Sequence, residues 1–138
     1  MKPIKLKSLI KENVVAGQKI KEYKKLHNQF ESQLHKYERS GFVSNVRNIK
    51  FEESDRHGYI TTTIEFDYQY KSTTLNKINE TEGRFYFVYG QKLKDGSISE
   101  YMMLTTKIFG EKEFKPPIKP KKVVDYLLFE QYEVLKNT

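Results

Sequence analysis

Residues 59–70 read Tyr-Ile-Thr-Thr-Thr-Ile-Glu-Phe-Asp-Tyr-Gln-Tyr, in which apolar and polar side chains largely alternate. Successive side chains of a β-strand point to opposite faces of a sheet. One face therefore carries Ile60, Thr62, Ile64, Phe66, Tyr68 and Tyr70, and the other carries Tyr59, Thr61, Thr63, Glu65, Asp67 and Gln69. The pattern predicts an antiparallel sheet that buries one face and leaves the other open to solvent.

The segment before this strand predicts a second, irregular strand. Residues 42–52 contain the apolar side chains Val43, Val46, Ile49 and Phe51. The parity of these positions slips between Val46 and Ile49, which indicates a β-bulge, because one extra residue shifts the alternation.

Two further strands follow the polar stretch from Lys71 to Gly83, which predicts a long loop. Residues 84–93 and 98–109 alternate on either side of Asp95-Gly96. That dipeptide is typical of a tight hairpin, because both residues tolerate positive φ angles. The region 42–110 thus predicts a four-stranded antiparallel meander.

Helical periodicity dominates both ends of the chain. Ile20, Tyr23, Leu26, Phe30, Leu34 and Tyr37 recur at spacings of three and four and draw one apolar stripe. We expect a long helix over residues 8–40, a proline-rich connector over 111–120 and a second helix over 121–136. The prediction is a single α+β domain over residues 1–138, with the long helix packed on the sheet.

Composition excludes several classes of protein. The 138 residues include no cysteine, which removes disulfide scaffolds, thiol catalysis and cysteine zinc sites. No run reaches the roughly 18 apolar residues of a membrane span.

We expect a cytoplasmic protein if the chain is complete, and an extracellular or membrane-anchored one if an upstream segment was removed. Richness in Lys, Asn, Ile and Tyr predicts a source with an AT-rich genome, such as a bacterium or a mobile element.

The order of elements over residues 8–110 resembles the cystatin-like and nuclear-transport-factor-two-like folds. The resemblance rests on a long helix followed by an antiparallel meander. It implies a range of functions: protease inhibition, isomerase or dehydratase activity, and assembly in conjugative secretion systems. It also implies that two such domains often pair sheet to sheet.

The aromatic content points first to a non-catalytic module that binds a protein partner or a second copy of itself. The sequence holds ten Tyr and nine Phe. We expect part of these to line the open sheet face, because Tyr is enriched at binding hot spots. The predicted partner-binding residues are Tyr59, Tyr86, Tyr101 and Phe109.

The charge distribution points to an alternative, a nucleic-acid-binding protein. The formal net charge is +7, and residues 1–39 carry ten Lys or Arg against four Glu. A localised basic face concentrates anionic partners. The predicted phosphate-binding residues are Lys19, Lys21, Lys24, Lys25 and Lys36.

A third alternative is a small pocket enzyme. Glu65 and Asp67 are two residues apart on one strand and so project from the same face, where paired carboxylates could supply acid–base chemistry. They would line a pocket if the C-terminal helix covered that face. His27 and His35 lie eight residues apart rather than the four of a helical metal site, so neither a metal nor a cofactor is predicted.

Overall fold

A computed structural model describes residues 3–53, 57–71, 78–106 and 110–130, and it has the predicted α+β architecture. A long helix and a short C-terminal helix pack against one antiparallel sheet. The elements are α1 Pro3–Arg39, β1 Val43–Glu53, β2 Tyr59–Lys71, β3 Ile78–Lys92, β4 Ile98–Thr106, β5 Gly110–Glu113 and α2 Pro120–Asp125. A π-helical turn, Tyr126–Glu130, continues α2.

The sheet is a meander in which each strand pairs with its neighbour in the chain, in the order β1-β2-β3-β4-β5. It has five strands rather than the predicted four. The additional strand, β5, begins at Gly110, whose φ of +70° lies in the region that glycine tolerates best. All four of its residues are exposed, so no apolar alternation marks it in the sequence.

The polar stretch before Gly83 also differs from the prediction. Residues 78–83 are the first part of β3 and continue its pairing with β2, where Lys71 lies opposite Ile78. The loop is therefore shorter than expected at this end. Polar composition misled the prediction, because a strand needs backbone partners and not apolar side chains to continue.

The helix α1 begins at Pro3, five residues before the predicted start, and runs through Gly17 without a break. Tyr23, Phe30 and Leu34 from its stripe are completely buried on the sheet. They meet the inward row of β2 and the aromatic row of β3, which consists of Phe85, Phe87 and Tyr89. This contact is the centre of the core.

The C-terminal helix packs on the same face of the sheet as α1. Val123, Val124, Leu127 and Leu128 are buried in the common core. The Tyr37 hydroxyl donates a hydrogen bond to Asp125 and so ties α1 to α2. The predicted helix extended to residue 136, and its last six residues lie outside the described part of the chain. With both helices on one face, the described elements leave the opposite face of the sheet uncovered.

Candidate functional site

The uncovered sheet face has an uncharged centre. Outward positions of β2, β3 and β4 line up in rows across the sheet, because the strand registers place Thr61 opposite Val88 and Val88 opposite Met103. Ten uncharged side chains occupy this centre, which we call the outer sheet patch: Tyr59, Thr61, Thr63, Tyr86, Val88, Gln91, Ser99, Tyr101, Met103 and Thr105.

A pair of tyrosines marks one end of the outer sheet patch. The ring centroids of Tyr59 and Tyr101 are 6.4 Å apart, and Tyr59 retains 38% of its exposure. The Tyr101 hydroxyl donates to Gln91 Oε1 at 3.0 Å, which fixes the ring between the strands. Tyr86 lies toward the other end, opposite Thr63 and Thr105, with the Arg84 guanidinium 5.1 Å from its ring centroid.

Charged residues surround this centre on three sides. Lys50 and Glu52 flank it on β1, and Glu111 and Glu113 flank it on β5. At the end beyond Tyr86, Arg47 contacts carboxylates from two neighbouring strands. Its guanidinium nitrogens lie 2.9 Å from Asp67, 3.9 Å from Glu65 and 3.2 Å from Glu82. Protein interfaces in general combine a core depleted in charged residues with a polar rim.

Three of the four aromatic residues predicted to bind a partner thus lie on one face. Tyr59, Tyr86 and Tyr101 belong to the outer sheet patch, whereas Phe109 lies outside the described residues. Sequence reasoning missed Val88 and Met103 at the centre of the patch. The alternation of side chains along each strand could have identified both. Val88 lies two residues after Tyr86, and Met103 lies two residues after Tyr101, so each shares a face with a predicted tyrosine.

The five predicted phosphate-binding lysines do not form one cluster. Lys19 turns to the β4 side, where its Nζ lies 3.9 Å from Glu100. Lys24 turns to the β1 side, with its Nζ 5.9 Å from the ring centroid of Phe51. The other three, Lys21, Lys25 and Lys36, are exposed on the back of α1. Arg39, which the prediction omitted, shares their helical phase.

The carboxylates proposed for an enzyme, those of Glu65 and Asp67, form hydrogen bonds and ion pairs within the charged rim. Asn48 Nδ2 donates to Glu65 at 2.9 Å, and Asn45 Nδ2 donates to Asp67 at 3.2 Å, in addition to the contacts with Arg47. The C-terminal helix packs on the other face of the sheet and does not cup them. Glu65 and Asp67 are therefore partly exposed surface groups and do not line the pocket that the enzyme hypothesis required.

Two histidines of α1 have separate environments. His27 Nδ1 lies 3.0 Å from Thr62 Oγ1, and burial lowers the pKa of the imidazole. His35 lies 3.6 Å from Glu31 and 3.2 Å from Glu38 on its own helix. His57 occupies the exposed turn before β2. Across the described residues, no three His, Asp or Glu side chains come together as a metal site.

A small cavity lies between the π-helical turn and the sheet. Its volume is about 90 Å³, and its walls include Phe66, Gly83, Leu127 and Leu128. Ligand pockets typically measure about 300–1,000 Å³, so this space is too small for one.

No family model, curated protein or solved structure matches this chain. Among the described helices, none has the length and apolar character needed to cross a bilayer. Function must therefore be inferred from the residues themselves, and the outer sheet patch is the strongest feature among them.

Proposed function

We propose that this protein is a non-catalytic interaction module that pairs with a second copy of itself through the outer sheet patch. The observation that carries the proposal is a centre of ten uncharged side chains on the sheet face opposite both helices. Charged residues are depleted at the core of protein interfaces, and Tyr and Met are enriched there.

The size of the face supports a stable dimer. Five strands at about 4.8 Å spacing and five outward rows at about 6.8 Å give roughly 24 by 34 Å, which is about 800 Å². A standard interface buries about 800 Å² on each partner. The face is therefore large enough for a specific contact without any further element.

The charge distribution favours a second copy as the occupant. The outer sheet patch itself carries no charge, so contact between two copies rests on this uncharged centre and not on the rim, where six carboxylates outnumber Arg47, Lys50 and Arg84. The excess positive charge lies on residues 1–39 and would oppose contact between the helix sides. The hydroxyl groups of the patch both donate and accept hydrogen bonds, so the surface is chemically complementary to itself. The cystatin-like and nuclear-transport-factor-two-like resemblance, itself still a proposal, implies the same mode of pairing.

Sedimentation equilibrium of the wild type and two variants tests this proposal. Met103→Glu places a charge at the centre of the patch, and we expect the dimer dissociation constant to rise at least about 100-fold, because a buried unpaired charge costs several kcal/mol. Asn28→Glu is the control, since Asn28 is exposed on α1, on the side of the molecule opposite the patch. Circular dichroism verifies that both variants fold.

A wild type that sediments as a monomer at a concentration of several hundred micromolar would overturn the proposal. Equal loss of dimer in Met103→Glu and Asn28→Glu would also overturn it, because the effect would then not be specific to the outer sheet patch. The dimer should persist at high salt, since the centre of the patch is uncharged.

A further inference from the structure

A line of basic side chains runs along the back of α1. Lys21, Lys25, Lys36 and Arg39 are all exposed. At 3.6 residues per turn they fall within a sector of about 60°, on the side opposite the buried stripe of Tyr23, Phe30 and Leu34. With a rise of about 1.5 Å per residue they span about 27 Å. We call these four residues the basic ridge.

The basic ridge contains no acidic side chain. The residues between its two halves on the same side, Asn28, Gln29 and Ser32, are exposed and uncharged. Of the acids on the described part of α1, Glu22 is exposed beside the ridge, three residues before Lys25, whereas Glu31 and Glu38 contact His35 on a different side of the helix. In the described part of the chain, no carboxylate lies within 4 Å of a ridge nitrogen. The cations are thus available to an external anion.

We propose that the basic ridge binds the phosphate backbone of double-stranded DNA without sequence specificity. A straight row of cations on a convex rod matches the linear array of phosphates along a duplex. DNA carries one charge per about 1.7 Å, so the ridge lies beside an excess of phosphates. An α-helix, about 10–12 Å wide, also fits the major groove, which is about 12 Å wide.

Other anionic partners fit the ridge less well. An amphipathic helix binds a membrane by burying its apolar face among lipids, but here that face is buried in the core. Proteins that bind single strands stack bases on aromatic side chains. The exposed back of α1 between Lys21 and Arg39 offers none, because Tyr23, Phe30 and Tyr37 point to the sheet side.

Four neutralised phosphates set the expected dependence on salt. The slope of log K against log salt concentration is about −0.9 for each phosphate, so four give about −3.6. Affinity should then fall about 150-fold between 50 and 200 mM salt. This inference is independent of the dimer, since the ridge lies on the opposite side of the molecule from the outer sheet patch.

Fluorescence anisotropy with a labelled 20-base-pair duplex of mixed sequence tests the inference. The triple variant Lys21→Gln, Lys25→Gln and Lys36→Gln should lose most of the affinity at 50 mM salt and reduce the slope to about −0.9. Gln has nearly the same helix propensity as Lys, so α1 should persist. The control variant Lys94→Gln, Lys115→Gln and Lys119→Gln removes the same charge from exposed positions off the ridge and should keep the wild-type slope.

Three outcomes would overturn the inference. Absence of binding to the duplex at 50 mM salt would leave the ridge as solvated surface. Equal losses in the two triple variants would assign binding to net charge rather than to the ridge. Tighter binding to vesicles rich in phosphatidylserine than to the duplex, lost in the ridge variant, would identify a membrane surface as the partner.

Discussion

Thr62 Oγ1 and His27 Nδ1 lie 3.0 Å apart, joining β2 to α1 at the edge of the core. The same Thr62 oxygen lies 2.5 Å from the Tyr89 hydroxyl on β3. Thr62 and Tyr89 are completely buried, so both hydroxyl hydrogens need partners inside the protein. A consistent arrangement has Tyr89 donating to Thr62 and Thr62 donating to neutral His27.

Thr62→Val should destabilise the fold by about 1–3 kcal/mol, because it leaves the Tyr89 hydroxyl buried without its partner. When Tyr89→Phe is added to Thr62→Val, it should lower the free energy of unfolding less than Tyr89→Phe does in the wild type. Removing both partners of a hydrogen bond destabilises less than removing one, because no buried hydroxyl is left unpaired. Urea denaturation of the two single variants and the double variant measures the coupling. Additive losses would show that the two hydroxyls do not interact.

The stability of the protein should fall as pH drops below about 6.5, in part because of His27. Burial lowers the pKa of His27 in the folded protein, against an opposing effect of Glu31. The unfolded chain, with an ordinary pKa near 6.5, then binds the proton more readily than the native state does. The contribution of His27 to the free energy of unfolding is therefore complete above pH 6.5 and is lost as the pH falls below that value.

Variants of the two helical histidines isolate this effect. His27→Gln remains neutral and retains an acceptor for Thr62, so its free energy of unfolding should change less than that of the wild type between pH 7.5 and pH 5.5. His35→Gln is the control, because His35 lies between two glutamates on the surface of α1 and does not reach Thr62. An identical pH response in wild type and His27→Gln would contradict the assignment.

Arg47 should contribute modestly to stability, in a way that depends on salt. Its side chain is 23% exposed, and the carboxylates of Glu65 and Asp67 are 38% and 39% exposed. Arg47→Met should cost about 0.5–1 kcal/mol at low salt, because pairs this exposed are screened by solvent. The cost should shrink in 0.5 M NaCl, where repulsion among the remaining carboxylates is weaker. Lys50→Met on the same strand is the control, and an equal loss there would remove any special role for Arg47.

The alternation of β2 and the stripe of α1 were sufficient to predict which face is buried, because both patterns report burial directly. The irregular strand β1 was harder to predict. Parity indicated one bulge, but the register shifts twice, before and after Arg47. Asn45 and Asn48 take φ angles of 51° and 50° at these shifts. Asn tolerates the left-handed region better than most residues, so the repeated Asn-apolar pair was the missed signal.

The candidate site was predictable only in part, since alternation assigns a face but not what covers it. Tyr59 and Tyr101 could be placed on the open face from parity, whereas their contact across β3 depends on register. Lysines at helical spacing suggested one cluster, but Lys19 and Lys24 turn to opposite flanks, where Glu100 and Phe51 engage them. Those partners come from distant strands, which local periodicity does not specify.

Two glycines should respond in opposite directions to the same substitution. A Cβ at Gly83 would collide with the rings of Phe66 and Tyr68 on the neighbouring strand. Gly83→Ala should therefore destabilise the protein by about 1–3 kcal/mol through overpacking. A Cβ at Gly17 meets nothing within 4 Å in the middle of α1. Gly17→Ala should stabilise the protein by about 0.5–1 kcal/mol, because Ala is the better helix former.

Thermal denaturation of the two variants beside the wild type checks this pair. A difference of 1 kcal/mol should move the melting temperature by about 2–5 °C in a domain of this size. Stabilisation by Gly17→Ala would require that α1 is continuous through residue 17 in solution, as its hydrogen-bonded span implies. A destabilising Gly17→Ala would instead indicate a bend or break there, and a neutral Gly83→Ala would show that β3 does not press against Phe66.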